Sequence, residues 1–304
     1  MTSSPIPPGA IVVGLDGSSE SVNALDWATA YAADRDLPLH LVHADNPDCL
    51  PEDADEEARS MDEICRRGLS RVQRREPGLS LTWSQPQTRP ASALVAAADT
   101  ATTVVVGSRG SGALQDALLG SVPISVSALA RCPVVVVGPS ISAGHSAGPV
   151  VVGVDHGHRT QPVLQYAFEE ARRRSVPLVA VHAWLMDPFA YATVLPTSAE
   201  DGTDTVTRAH HDLEQILTGW AERFPTVELR RRVVRSDPTE ALVKYSADAG
   251  LLVVGTHGRR AVGGLLLGSV SQGAMRNASC PVVVVPTPTA VDQSVADRVA
   301  AAGV

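Results

Sequence analysis

Short apolar runs, each closed off by Gly, Pro, Asp or Ser, punctuate the chain and set its architecture. Ala10–Leu15, Leu39–Ala44 and Thr103–Val106 are such runs, as are the alternating Leu79–Gln85 and the all-valine Val134–Val137. Runs of this length and composition predict strands, the apolar ones buried on both faces. The stretches between them predict helices. One starts at Ser18 or Ser19, either of which can cap it, and continues to about Ala33. A second follows an acidic start at Pro51 and continues to about Arg75, with Met61, Ile64, Leu69 and Val72 at helical spacing. Pro90–Ala98 and a segment from Gly120 to about Ala130 complete the set. Strand and helix in strict alternation predict a parallel sheet with right-handed crossovers, whose ligands bind at the carboxyl ends of the strands where strand order reverses.

The pattern then restarts. After the small-residue linker 138–149, Val151-Val-Gly-Val-Asp155 repeats Val12-Val-Gly-Leu-Asp16 at an offset of 139, and Val181-His-Ala183 repeats Val42-His-Ala44 at the same offset. Further on, Pro238 and Leu242 repeat Pro90 and Leu94 at an offset of 148, so the second copy gains nine residues after its second strand. That length is assigned to a loop around Trp184–Glu200, ahead of a helix Thr205–Arg223. The reading is a duplicated α/β domain, 1–140 and 148–287, followed by a tail 288–304 that is helical from Val291.

The densest signal is a glycine pattern. Gly107-Ser-Arg-Gly110, nine residues, then Gly120-Ser121 recurs as Gly255-Thr-His-Gly258, nine residues, then Gly268-Ser269. Each copy leaves an apolar strand and enters a helix. Glycine permits a sharp strand exit and close backbone approach, and the unpaired N–H groups at the start of a helix favour an anion. The pattern therefore predicts a phosphate-holding loop in each half.

Composition narrows the classes. The chain has 304 residues and a formal charge of −8, with residues 1–146 at 10 Arg against 17 acids and 147–304 at 15 Lys plus Arg against 16 acids. Neither half has the basic excess of a nucleic-acid or anionic-membrane binder. With neither a membrane-spanning run nor a secretory leader at the N-terminus, a cytoplasmic location is expected. Cys132 and Cys280 precede identical Pro-Val-Val-Val-Val segments and read as small buried residues; with Cys49 and Cys65 they form no Cys-x-x-Cys pair.

A strand ending Val-Gly-x-Asp, a second ending Val-His-Ala, the spacing Gly-x-x-Gly-x9-Gly-Ser and a closing Cys-Pro-Val-Val-Val-Val together resemble the universal stress protein family in its tandem, ATP-binding form. The resemblance covers about 9–139 and 149–287, and the alanine-, arginine- and valine-rich composition with a single lysine, Lys244, fits a GC-rich actinobacterial source. It implies two Rossmann-like (adenine nucleotide alpha hydrolase-like) domains, each a five-stranded parallel sheet flanked by helices. It also implies one ATP site per domain, with or without Mg2+. By position, the first site takes Asp16 and Ala44 for the adenosine part, and Gly107, Arg109, Gly110, Gly120, Ser121 and Val122 for ribose and phosphates. The second takes Asp155, Ala183, Gly255, His257, Gly258, Gly268, Ser269 and Val270. In the family the late valine strands mediate dimer contact, which implies that Val134–Val137 and Val282–Val285 pair within this chain. Association of two chains is left open.

The copies differ. Asp16 is followed by Gly-Ser, Asp155 by His156-Gly157-His158, which leaves Thr160 to cap the helix. The second loop offers Arg259 and Arg260, the first only Arg109. No P-loop lysine motif occurs and no general base stands out. Asp16 and Asp155 are either acceptors for a ligand hydroxyl or Mg2+, or helix-capping residues; His43 and His182 read as hydrogen-bonded structural residues, and His210-His211 point apart on a helix. The expectation is a nucleotide-binding regulatory protein acting on an unnamed protein partner. A slow ATPase and a nucleotide-free interaction protein are the alternatives.

Overall fold

The structure, a computed structural model, describes residues 4–44, 51–110, 119–139, 147–155, 160–184, 201–256 and 267–287; of 51–62 and 201–206 only the backbone is described. The first half consists of β1 (Ile11–Gly14), α1 (Ser19–Ala33), β2 (Leu39–Val42), α2 (Pro51–Arg75), β3 (Leu81–Ser84), α3 (Pro90–Ala97), β4 (Thr103–Gly107), α4 (Ser121–Leu129) and β5 (Val134–Val137). The second consists of β6 (Val150–Gly153), α5 (Gln161–Arg174), β7 (Leu178–Trp184), α6 (Asp201–Leu217), α7 (Trp220–Arg223), β8 (Leu229–Arg235), α8 (Pro238–Ser246), β9 (Leu251–Gly255), α9 (Ser269–Asn277) and β10 (Val282–Val285).

All ten strands join one sheet in the order β3-β2-β1-β4-β5-β10-β9-β6-β7-β8. Each half contributes five parallel strands, and the halves meet where β5 and β10 pair antiparallel, Val282 opposite Val136 and Val284 opposite Val134. The two valine strands therefore shield each other's edges inside one chain, as the resemblance implied.

Residues alternate between the faces along each strand. Ile11, Val13, Leu39, Leu41, Val150 and Val152 face a layer of α1, α2, α5, α6 and α7, packed on Trp27, Phe168, Leu213 and Trp220. Val12, Val104, Val134, Val151 and Val282 face α3, α4, α8 and α9 through Leu94, Val126, Leu242 and Met275. Most of these side chains are fully buried, each stabilising the fold by roughly 1.5–3 kcal/mol relative to exposure. Cys65, Cys132 and Cys280 are buried, and burial pushes the Cys132 thiol up to about 11 and the Cys280 thiol to about 12.

Local signals explain most element ends. The Ser18 side chain caps α1 by accepting from the Ser21 N–H, and Asp36 at φ 51° turns the chain out before Pro38. Asp237 caps α8 through the N–H groups of Thr239 and Glu240, with Pro238 in the first turn. The expected single helix Thr205–Arg223 is two: Gly219 at φ +80° breaks it into α6 and α7. The expected Trp184–Glu200 loop, beyond Trp184 at the end of β7, and the tail helix from Val291 lie outside the described residues.

Candidate functional site

Strand order reverses between β1 and β4 in the first half and between β6 and β9 in the second. A crevice therefore opens past the carboxyl ends of each pair. Asp16 stands just beyond β1, Gly107 closes β4, Arg109 and Gly110 follow it, and Gly120 is the N-cap of α4.

Asp16 has a different task for each oxygen. Its Oδ1 accepts from the Ser18 backbone N–H at 3.0 Å and the Ser18 hydroxyl at 2.6 Å, so it orients the residue that caps α1. Its Oδ2 lies 2.5 Å from the point where a Cβ on Gly110 would stand. The tips of β1 and β4 thus meet with a carboxylate on one side and bare backbone on the other.

The glycines act by closeness rather than by unusual backbone angles. Among the described glycines only Gly9, Gly17 and Gly219 have positive φ. Gly107 therefore does not make the left-handed exit that glycine alone would permit. A Cβ there would lie 2.8 Å from the Glu20 backbone carbon, so its role is to let α1 sit against β4. Gly17, at φ +82°, is the conformationally required glycine of this site; its counterpart His156 lies outside the described residues.

Arg109 is already engaged. Its Nη2 lies 3.1 Å from Oε1 of Glu20, which is 9% exposed, and the Ser19 hydroxyl donates to the other Glu20 oxygen at 2.7 Å. At the start of α4 the Gly120 N–H is spent on the Ser108 carbonyl at 2.8 Å. The Ser121 and Val122 N–H groups occupy the first turn, where no intrahelical acceptor reaches them, and Pro123 has no N–H. Ser121 is exposed and adds its hydroxyl.

The second half repeats this plan with changes. The Gly268 N–H donates to the Thr256 carbonyl at 2.8 Å, Ser269 and Val270 open α9, and the Gly255 carbonyl accepts the Ser271 hydroxyl at 2.5 Å. Thr160 holds the N-cap position of α5 but makes no side-chain cap: its backbone is already helical, and its hydroxyl donates to the Asp155 carbonyl at 2.7 Å. His257, Gly258, Arg259, Arg260, Gly157 and His158 lie outside the described residues.

His43 and His182 do the same work in each half. Their Nδ1 atoms bond the Leu15 and Val154 carbonyls at 2.5 and 2.9 Å, tying the tip of the second strand to the segment that carries Asp16 or Asp155. Ala44 and Ala183, beside these histidines, are half-buried against the α3/α4 and α8/α9 layer. Another asymmetry is buried nearby. The Thr256 hydroxyl bonds that of Thr287 at 2.8 Å, whereas the corresponding Ser108 hydroxyl has no partner among the described residues, Pro139 standing where Thr287 would be. No group of three or more His, Cys, Asp or Glu side chains placed to hold a metal occurs among the described residues.

The chain matches the sequence profile of the universal stress protein family twice, over residues 9–138 and 147–286. The chain belongs to the universal stress protein family. It is 37% identical to a universal stress protein of Mycolicibacterium smegmatis over 90% of this chain and 96% of that one. It is 36% identical to one of Mycobacterium tuberculosis over the same shares. The relatives are mycobacterial, in line with the composition. Among solved structures, the universal stress protein from Archaeoglobus fulgidus superposes with a TM-score of 0.66 at 20% identity, covering 91% of this chain and 98% of that one; this likeness concerns the fold. Among the described residues no helix is long and apolar enough to cross a membrane.

Two elements of the first site carry no sequence signal of their own. Glu20 is one acid in a helix, and only the packing of α1 on Gly107 brings it to Arg109. The split use of the Asp16 oxygens likewise depends on the turn at Gly17.

Proposed function

We propose that this universal stress protein binds ATP, with or without Mg2+, at one site per half, and that occupancy orders the glycine loop and so changes the surface offered to a protein partner in the cytoplasm. The observation that carries this reading is the meeting of Asp16 and Gly110. An acceptor stands opposite backbone kept bare of a Cβ, at the switch point of the sheet and beside the open first turn of α4. Asp16 Oδ2 suits a ribose hydroxyl, and the Ser121 and Val122 N–H groups with the Ser121 hydroxyl suit phosphate oxygens. The corresponding proposal for the second half takes Asp155, Ala183, Gly255, His257, Gly258, Gly268, Ser269 and Val270. The free, buried thiols of Cys132 and Cys280 fit a reducing compartment.

The Glu20 contact supports a holder over a hydrolase. Arg109 is neutralised on the protein side, and the loops supply no P-loop lysine to the phosphates. The test is Gly120→Glu combined with Gly268→Glu. Gly120 has an ordinary φ of −77°, and the nearest atom to an added Cβ is 3.5 Å away, so the first substitution leaves the fold intact. Gly268 has a similar φ of −62°. Native protein is expected to release close to two adenine nucleotides per chain on denaturation, and the double variant none. A well-folded double variant with unchanged ATP affinity would remove the reading.

A further inference from the structure

The two ends of the sheet, β3 and β8, occupy equivalent places in the duplicated plan but differ in charge and in what covers them. In β3 the residues Leu81-Thr-Trp-Ser84 carry no charge, and the N-terminal segment lies along the outer edge, the Ser4 N–H donating to the Trp83 carbonyl at 2.9 Å. In β8 four of the seven residues are arginine, Leu229-Arg-Arg-Arg-Val-Val-Arg235. All four arginines are exposed.

Register fixes which backbone groups face outward. Leu178 stands opposite Leu229, and its N–H donates to the Glu228 carbonyl. In a parallel ladder alternate residues then bond inward, so Arg230, Arg232 and Val234 serve β7 while Arg231 and Val233 present N–H and C=O to the open side. Arg231 is the counterpart of Trp83 at the offset of 148, so its carbonyl is the one the N-terminal segment satisfies at the other end of the sheet. Among the described residues no backbone N–H donates to it; only the exposed Arg232 guanidinium of the same strand does, at 3.0 Å, and an added strand would take that place.

Charge selects what can fill this edge. Glu228 pairs with Arg230 at 2.7 Å, the Arg235 guanidinium lies 5.8 Å from the Trp184 ring centroid, and Arg231 has no carboxylate partner among the described residues. A row of like charge repels a second β8, which keeps two sheets from joining edge to edge. The same row attracts acid. The arginines also alternate, Arg230 and Arg232 on one face of the strand, Arg231 and Arg235 on the other. A flat anionic surface meets only one of these rows, whereas a strand added at the edge has side chains beside both.

We propose that the β8 edge is a docking site for an extended acidic segment of a partner protein, which adds as an eleventh strand outside Arg231 and Val233 and sets its carboxylates against the arginine rows. The site is on the outer edge of β8, whose Val234 stands opposite Ala183 of β7 on the inner side, and it does not depend on the nucleotide reading.

The probe is a fluorescent peptide of alternating valine and glutamate, titrated onto the full chain by anisotropy with amide hydrogen exchange followed in parallel. Saturable binding is expected, weakening at least tenfold both with added salt and in the Arg231→Glu, Arg232→Glu variant. Amide exchange at Arg231 and Val233 is expected to slow on binding. Val233→Pro, which removes an outward N–H and leaves the charges in place, is expected to weaken binding about fivefold. Equal binding of a valine–lysine peptide, or unchanged binding by the charge-reversed variant, would overturn the proposal. So would protection of both amides before any peptide is added, since another part of the chain would then fill the edge. Binding of a glycine–glutamate peptide, a single-stranded oligonucleotide or phosphatidylserine vesicles as tightly as the valine–glutamate peptide would replace strand addition with simple attraction for polyanions.

Discussion

Arg35 on α1 donates to Glu170 on α5 at 2.5 Å, and this buried ion pair crosses from one half of the chain to the other. The 139-residue offset relates Arg35 to Arg174 and Tyr31 to Glu170. A strictly symmetric junction would set two like residues face to face at the second pair. Here the Glu170 carboxylate serves both guanidiniums, Arg174 Nε donating at 3.0 Å, and Tyr31 fills the other place. The Tyr31 hydroxyl bonds Tyr166 at 2.9 Å and Glu170 at 3.1 Å, under an Arg35 guanidinium 3.4 Å from its ring centroid. Burial, then the Glu170 charge, pushes the Tyr31 phenol up to about 12, so it remains a neutral donor.

Glu170→Gln leaves two buried guanidiniums without their shared carboxylate. The expected loss is about 3–5 kcal/mol of stability. Urea unfolding of the variant checks it, and Arg35→Met in the Glu170→Gln background should cost much less than in the native protein, because the two residues act as one unit.

Gly107 and Gly110 are expected to separate stability from binding. A methyl on Gly107 meets the Glu20 backbone at 2.8–3.0 Å, and a helix cannot retreat cheaply, so Gly107→Ala should cost about 1–3 kcal/mol. A methyl on Gly110 meets the end of the Asp16 side chain, which can rotate away. Gly110→Ala should therefore unfold close to the native midpoint while ATP affinity, measured by calorimetry, falls about tenfold.

His40 gives the first half a pH dependence. Its ring is fully buried in β2, bonded to the Thr82 and Ser84 hydroxyls at 2.7 and 2.8 Å, and burial lowers its pKa from 6.5 to about 4. Below pH 6.5 the unfolded chain takes up a proton that the folded chain refuses, so stability falls as pH drops from 6.5 and levels off below about 4. The expected loss from this residue is about 2 kcal/mol by about pH 5. His40→Gln should flatten the fall between pH 7 and 5 relative to native protein.

The sequence carries the plan of the fold in the period of its apolar runs and in its repeat offsets. Val134–Val137 and Val282–Val285 are legible as strands from composition, and their pairing from the family resemblance. At the site, Asp16 and the glycines are visible because motif spacing survives in one dimension. What the spacing conceals is why each glycine is needed. Gly107 answers to the Glu20 backbone, a contact across 87 positions that no local pattern encodes. The Glu170 junction is hidden for the same reason. An acid four residues before an arginine reads as an ordinary helix-surface pair until α1 is packed against it.

The antiparallel seam of β5 and β10 has a genetic consequence. In an assembly of identical subunits any substitution alters every crevice at once, so a change that helps one copy and harms another is never available. Sealing the seam inside a single polypeptide removes that bond between the copies and makes their pairing independent of protein concentration. Arginines can then accumulate at positions 259 and 260, or on a single terminal strand, while the other half keeps its original chemistry.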